Sequence, residues 1–209
     1  MGSGASKGGS YKLTYFNGRG RGEVSRLCLV AAGVKFTDNR IEQADWPAYK
    51  PKTPLGFLPV LELNGKELTH QLVVNRFLAE RLGLMGSNPN EKAKIDEVMT
   101  TACDFAVDCA GPLFASDKAA AIKDVLENKA PKALEYLKKT AENNPTKSGY
   151  LVGAKMSVAD LAAYNALEAL AGLSESELNK YEVLKTCRDK VAANPNIAKY
   201  LKDRPVTPF

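Results

Sequence analysis

Histidine is almost missing from this chain: His70 is the single one in 209 residues. That argues against His-based metal centres and against Ser–His or Cys–His nucleophilic machinery, both of which need an imidazole beside another group. The four cysteines, Cys28, Cys103, Cys109 and Cys187, are scattered and form no C-x-x-C pair. A chain of this length buries an adequate core without disulfides. The thiols therefore read as reduced and the address as cytoplasmic. No apolar run approaches the ~20 residues of a membrane span, and no h-region marks a secretory signal, so stable membrane insertion is not expected. No block of five like charges occurs. The net charge of +5 is spread along the chain and reads as a solvated basic surface, not a nucleic-acid site.

What remains is an ordinary globular composition, 44% hydrophobic and 25% charged. Residues 1–10, rich in glycine and serine, read as a disordered extension or a tag. Two readings stay open there. Met1-Gly2 with Ser6 fits N-myristoylation of Gly2, and the same letters fit an expression-tag linker. One myristoyl chain would give only weak, reversible membrane association.

From residue 11 the pattern predicts a strand over 11–15, a helix over 22–32 stopped by Gly33, and a second strand over 34–41. A short irregular or helical piece follows over 45–50. Strands over 60–63 and 67–68 flank Asn64-Gly65, a two-residue hairpin signal. A helix over 71–82 closes the domain, with Leu72, Val73, Phe77, Leu78 and Leu82 facing inward. The order βαβ, ββ, α is that of a thioredoxin-like domain over 11–83. After a linker at 84–90 the chain turns all-helical over 91–209, with helices expected over 90–114, 118–143, 157–170 and 181–193. Ser157-Val-Ala-Asp160, preceded by Met156 and followed by Leu161, reads as a capping box with a hydrophobic staple, a folding signal.

Chemistry concentrates at one junction. A short apolar strand ends on Tyr15-Phe16, and Gly18-Arg19-Gly20-Arg21-Gly22 leads at once into a helix. A hydroxyl at such a strand-to-helix mouth can meet a small anion. The glycines fail the dinucleotide fingerprint, because the third position is Glu23. The Gly-Arg run also occurs once only, unlike an RNA-binding repeat. Leu58-Pro59 between apolar strand residues suggests a backbone clamp.

Taken together, Tyr11-x-Leu-x-Tyr15-Phe16-x-x-Arg19-Gly20-Arg21, Ile41-Glu42-x-x-Asp45-Trp46-Pro47, Pro54-x-Gly56-x-Leu58-Pro59-Val60-Leu61-Glu62, the Ser157–Asp160 box and the ending Arg204-Pro205-Val206-Thr207-Pro208-Phe209 resemble the sigma-class glutathione S-transferases. That family includes prostaglandin D isomerases and lens S-crystallins. The resemblance covers nearly the whole chain after residue 10. It implies the two-domain GST fold, a homodimer, glutathione as co-substrate and no metal.

It also implies residue roles. Tyr15 would donate to the glutathione thiolate, since a free thiol with pKa near ~8.5 is mostly protonated at neutral pH. Arg21 would support that anion. Trp46 and Lys50 would hold the glycyl end. Leu58, with Pro59 in cis, would present its backbone to the cysteinyl part, beside Gly56 and Phe57. A gapless match puts His70-Gln71 where the family usually has Gln-Ser for the γ-glutamyl carboxylate; a one-residue shift would instead put Leu72 at the serine. Asp104 matches an aspartate that reaches the γ-glutamyl ammonium across a dimer. Phe16, Phe105 and Phe209 would line an apolar second-substrate pocket.

Three functions compete: a transferase conjugating glutathione to electrophiles for detoxification, a non-catalytic S-crystallin-like protein, and a glutathione-using prostaglandin-type isomerase. Cys103, Gly111 and Ala162, which replace an acidic residue and two large groups, count against the last. A thiol oxidoreductase would need a cysteine at the start of the first helix, and the nearest, Cys28, lies inside that helix.

Overall fold

The structure is a computed structural model that describes residues 8–207. It divides into two compact units: 8–84 together with 195–207, and 85–194.

The first unit is built on a four-stranded sheet of β1 (Tyr11–Phe16), β2 (Phe36–Ile41), β3 (Val60–Leu63) and β4 (Lys66–Thr69), in the order β2-β1-β3-β4. β1 runs parallel to β2, Tyr11 opposite Phe36, and antiparallel to β3, Tyr11 opposite Leu63. Asn64 and Gly65 both take positive φ, 52° and 79°, as a tight primed hairpin turn requires. Period-two alternation sends Tyr11, Leu13 and Tyr15 into the core on one face of β1. The helices α1 (Glu23–Ala31) and α3 (Gln71–Leu82) pack against each other. The expected irregular stretch is a 3-10 turn at Gln43–Asp45, the short α2 (Trp46–Tyr49) and a second 3-10 turn at Lys50–Lys52.

The inward face of α3 differs from the sequence reading. Leu78 and Leu82 are buried as expected, but Val74, Asn75 and Ala79 complete the stripe. Val73 and Phe77 are 48% and 38% exposed. Hydrophobicity alone favours those two, whereas the buried Asn75 accepts a 2.7 Å hydrogen bond from the Ser25 hydroxyl on α1. That polar pair sets the rotation of the helix, because a buried amide without a partner is costly.

The second unit holds α4 (Pro89–Ala110), α5 (Lys118–Asp124), α6 (Ala130–Asn143), α7 (Val158–Leu178) and α8 (Glu182–Ala192). The continuous helix expected over 118–143 is broken by a π-helical turn at Val125–Lys129. Pro131 sits at the start of α6 and has no N–H to return to residue 127, so the ladder widens there. α7 outruns its expected end and is interrupted at Ser174. α9 (Pro195–Asp203), nine residues long, was not expected from the sequence. It groups with the first unit and not with the helical domain to which 91–209 was assigned. No helix of the described residues is long and apolar enough to cross a membrane.

The capping box at α7 is present. The Asp160 carboxylate accepts from the Ser157 N–H at 2.7 Å and its hydroxyl at 2.9 Å. It also accepts from the Leu151 N–H at 2.7 Å, so it ties the preceding loop to the helix start. Replacing Asp160 by Ala leaves two buried N–H donors unpaired. We expect a loss of about 3 kcal/mol in urea unfolding at neutral pH; a loss below about 1 kcal/mol would show that the box is dispensable.

Candidate functional site

Tyr15 is the penultimate residue of β1 and is 7% exposed. The chain turns through a 3-10 segment, Gly20–Gly22, before α1 begins. This turn presents the Arg21 backbone N–H to the Tyr15 hydroxyl oxygen at 3.0 Å. The oxygen is thereby used as an acceptor, and the hydroxyl proton stays available to an outside group. Burial, the largest influence, raises the Tyr15 pKa above the ordinary tyrosine value, while the Arg21 N–H bond and the charges of Arg21 and Arg26 pull it down. At neutral pH the group is therefore a neutral donor.

Gly20 makes this contact possible. Its φ is +38°, and a Cβ there would lie 2.7 Å from the Tyr15 hydroxyl oxygen. The glycines that fail the dinucleotide fingerprint are thus the seat of a tyrosine.

Around Tyr15 lies an aromatic and apolar cluster. Phe16 meets Tyr15 edge-on at 5.5 Å between ring centroids and Trp46 at 5.3 Å. Leu58 and Val60 belong to the same cluster. The Leu58–Pro59 bond is cis, as the sequence suggested. Gly56, at φ +72°, lies beside Lys50, whose Cε would be 3.5 Å from a Cβ added there. Phe57 meets the His70 ring edge-on at 4.8 Å. His70 stands at the entrance to α3 with φ 69° and ψ 119°, a sparsely populated conformation. No side chain caps the helix there, so the amide hydrogens of its first turn point outward as an anion seat.

The structure thus brings Tyr15, Trp46, Leu58 and Phe16 together, Lys50 with Gly56, and Phe57 with His70. Phe16 is engaged between two aromatic rings, which makes it a spacer as well as a candidate pocket wall. The Arg21 side chain is exposed, and the hydrogen bond it makes to Tyr15 comes from its backbone. In the second unit, Asp104 is exposed on α4, and Phe105 is 2% exposed, the value of a core side chain and not of a free pocket wall. Gly2 and Phe209 lie outside the described residues. Among those described, no group of three or more metal-ligating side chains gathers.

Four residues with a bearing on the site went unassigned in the sequence: Glu23, Arg26, Tyr200 and Arg204. Arg26 is 0% exposed. Its guanidinium donates to Asp38 at 2.9 Å, Glu23 at 3.2 Å, and the carbonyls of Gly18 at 2.6 Å and Phe16 at 3.2 Å. It stands 5.8 Å from the Tyr15 ring centroid. Burial disfavours its charge, but Asp38 and Glu23 outweigh that, and its pKa is raised. The available signal was the placing of Glu23 and Arg26, one helical turn apart, among the buried Val24, Leu27 and Cys28.

Comparison with known proteins gives the family. The glutathione S-transferase N-terminal domain model matches residues 11–80 and the C-terminal domain model residues 104–204. The chain belongs to the glutathione S-transferase family. It is 38% identical to Glutathione S-transferase 1 of Ascaris suum, covering 95% of this chain and 98% of that protein. It is 37% identical to the hematopoietic prostaglandin D synthase of Gallus gallus, with 95% and 98% covered. S-crystallin SL11 of Nototodarus sloanii is 34% identical, with 96% and 99% covered. Among solved structures, the monomeric Na-GST-3 of Necator americanus superposes with a TM-score of 0.88 at 33% identity, over 96% of this chain and 100% of that one.

The Gly20 contact yields a test independent of any ligand. Gly20→Ala forces a side chain against the Tyr15 hydroxyl at a positive φ. It is expected to cost about 2 kcal/mol of stability and to move the Tyr15 ultraviolet titration; an unaltered titration and stability would refute the seat.

Proposed function

We propose that this protein is a sigma-type glutathione transferase that conjugates glutathione to apolar electrophiles in the cytoplasm, a detoxification chemistry. The observation that carries the reading is the Tyr15 hydroxyl, oriented by the Arg21 N–H with its own proton unspent. In this reading the glutathione thiol loses its proton to solvent. Tyr15 donates a hydrogen bond to the resulting thiolate and lowers the thiol pKa. The sulfur then attacks the electrophile, a carbon–sulfur bond forms, and the leaving group departs with its electron pair. Arg21 adds positive potential. Trp46 and Lys50 bind the glycyl end, the Leu58 backbone pairs with the cysteinyl part as an added strand would, and Gly56, Phe57 and Pro59 shape that edge.

His70, Gln71 and the first turn of α3 take the γ-glutamyl carboxylate. The strained conformation of His70 at the helix entrance supports the gapless match. Asp104 reaches the γ-glutamyl ammonium across a homodimer. Support for dimerisation comes from the exposed apolar Leu55, Val73 and Phe77 of the first unit, whereas Na-GST-3 is described as monomeric. Phe16 borders the second-substrate site.

A second reading, a non-catalytic S-crystallin-like protein, draws on His70-Gln71, where no side chain caps α3. A lost charge-assisted hydrogen bond there is worth roughly 1.5–3 kcal/mol, or about one to two orders of magnitude in affinity. Prostaglandin-type isomerisation draws on relatives such as the Gallus gallus protein, and Cys103, Gly111 and Ala162 weigh against it.

Tyr15→Phe discriminates among these. For the transferase, we expect kcat/KM for conjugation to fall about 100-fold with the fold intact. The pH midpoint of the rate should move up toward the free thiol value near ~8.5. Tyr15 itself is neutral throughout that range, so the bound thiol is the titrating group, and activity rises with pH as the thiol ionises. A variant as active as the wild type would remove the assigned role. Glutathione titration, read by the fluorescence of Trp46, tests the other end. Gln71→Ser should tighten binding about tenfold, and equal or weaker binding would place the γ-glutamyl group elsewhere.

A further inference from the structure

Beneath Tyr15 lies a buried set of charges that the chemistry above does not use. Glu23, 1% exposed, accepts from Arg26, from the Arg204 guanidinium at 2.7 Å and from the Tyr200 hydroxyl at 3.1 Å to each carboxylate oxygen. Asp38 accepts from Arg26 at 2.9 Å and from Arg40 at 2.8 Å. Arg40 also donates to the Asn17 side chain at 3.3 Å. Three guanidiniums therefore face two carboxylates, and the cluster is left with one net positive charge. Burial and Glu23 keep Tyr200 protonated, so it remains a neutral donor.

The placing of this charge is specific. Arg26 grips the carbonyls of Phe16 and Gly18, the backbone that leads from Tyr15 to the turn whose Arg21 N–H orients the tyrosine. A net cation with little access to water costs desolvation free energy. An anion bound at the Tyr15 hydroxyl would offset part of that cost, because charge interactions are strong where water is excluded.

We propose that Tyr200 and Arg204 of the C-terminal segment are positioning residues for the Tyr15 site: by sharing Glu23 with Arg26 they leave the cluster one net positive charge, which Arg26 presents 5.8 Å from the Tyr15 ring centroid, and so help to hold a bound thiolate. The proposal rests on the transferase reading. The charged groups that act on Tyr15 or join this cluster are Arg21 from the turn, Glu23 and Arg26 from α1, Asp38 and Arg40 from β2, and Arg204 after α9; Lys50 stands apart beside Gly56. Of these, Arg204 contacts Glu23 and has no role in the chemistry proposed for glutathione. Without it, Glu23 leans on Arg26 and the cluster becomes neutral.

The test is the pKa of glutathione bound to the intact protein, read from thiolate ultraviolet absorbance against pH at saturating glutathione. Arg204→Met is expected to raise that pKa by about half a unit, the size of a partly screened unit charge. Arg204→Lys, which keeps the charge, should stay near the wild type. If Arg204→Met does not fold, by circular dichroism, Tyr200→Phe takes its place. It removes one donor to Glu23 and should shift the pKa in the same direction, by less. An unchanged thiol pKa in the folded variant, or an equal shift in Arg204→Lys and Arg204→Met, would overturn the proposal. A wild-type protein that binds glutathione without lowering its thiol pKa would overturn the transferase reading as well. A depressed wild-type pKa with indifferent Arg204 variants would overturn the positioning role alone.

Discussion

The guanidinium of Arg26 is the constraint on which the first unit depends. A fully buried cation is tolerated only where several acceptors replace its lost water. Here the acceptors come from both ends of the problem: two carboxylates, on α1 and β2, and two backbone carbonyls between Tyr15 and the glycine turn. The same side chain therefore joins strand, helix and loop. The geometry of Tyr15 follows from it, since the turn that holds the hydroxyl begins where Arg26 lets go of the backbone. The aromatic packing of Phe16 and Trp46 then fixes the other side of the ring.

The entrance to α3 obeys a different rule. Three helix starts are closed by side chains: Asn88 caps α4 and Asp117 caps α5, and Ser157 with Asp160 closes α7, whereas α1, α2, α6 and α8 begin without one. α3 starts on a strained His70 with no such cap. An open helix N-terminus forgoes a stabilising contact and leaves amide hydrogens for an anion from outside. Fold and site thus use the same backbone groups for opposite ends.

Much of this was legible in the residues. The hairpin was readable from Asn64-Gly65 because only a few residues accept two consecutive positive φ values. The strand ending on Tyr15 and the helix after it followed from period and motif, and the cis bond at Pro59 from the family resemblance. The inward face of α3 was not readable, because a polar pair, Ser25 with Asn75, decided what hydrophobicity could not. The π turn before α6 was traceable to Pro131 only after the helix on both sides was known. The role of Glu23, Arg26, Tyr200 and Arg204 was hidden for a plainer reason: charges read as surface until a distant partner appears, and those partners lie 177 and 181 residues away.

That distance has a consequence for how the polypeptide becomes a protein during synthesis. The first unit is discontinuous: its sheet emerges from the ribosome early, and α9 emerges only after the whole helical unit has been made. Until then Glu23 lacks Tyr200 and Arg204, and an incompletely satisfied carboxylate resists burial. The early segment therefore cannot settle fully on its own. The helical unit is instead an insertion that must be completed before the sheet is sealed, which couples the two halves in time through a single buried carboxylate.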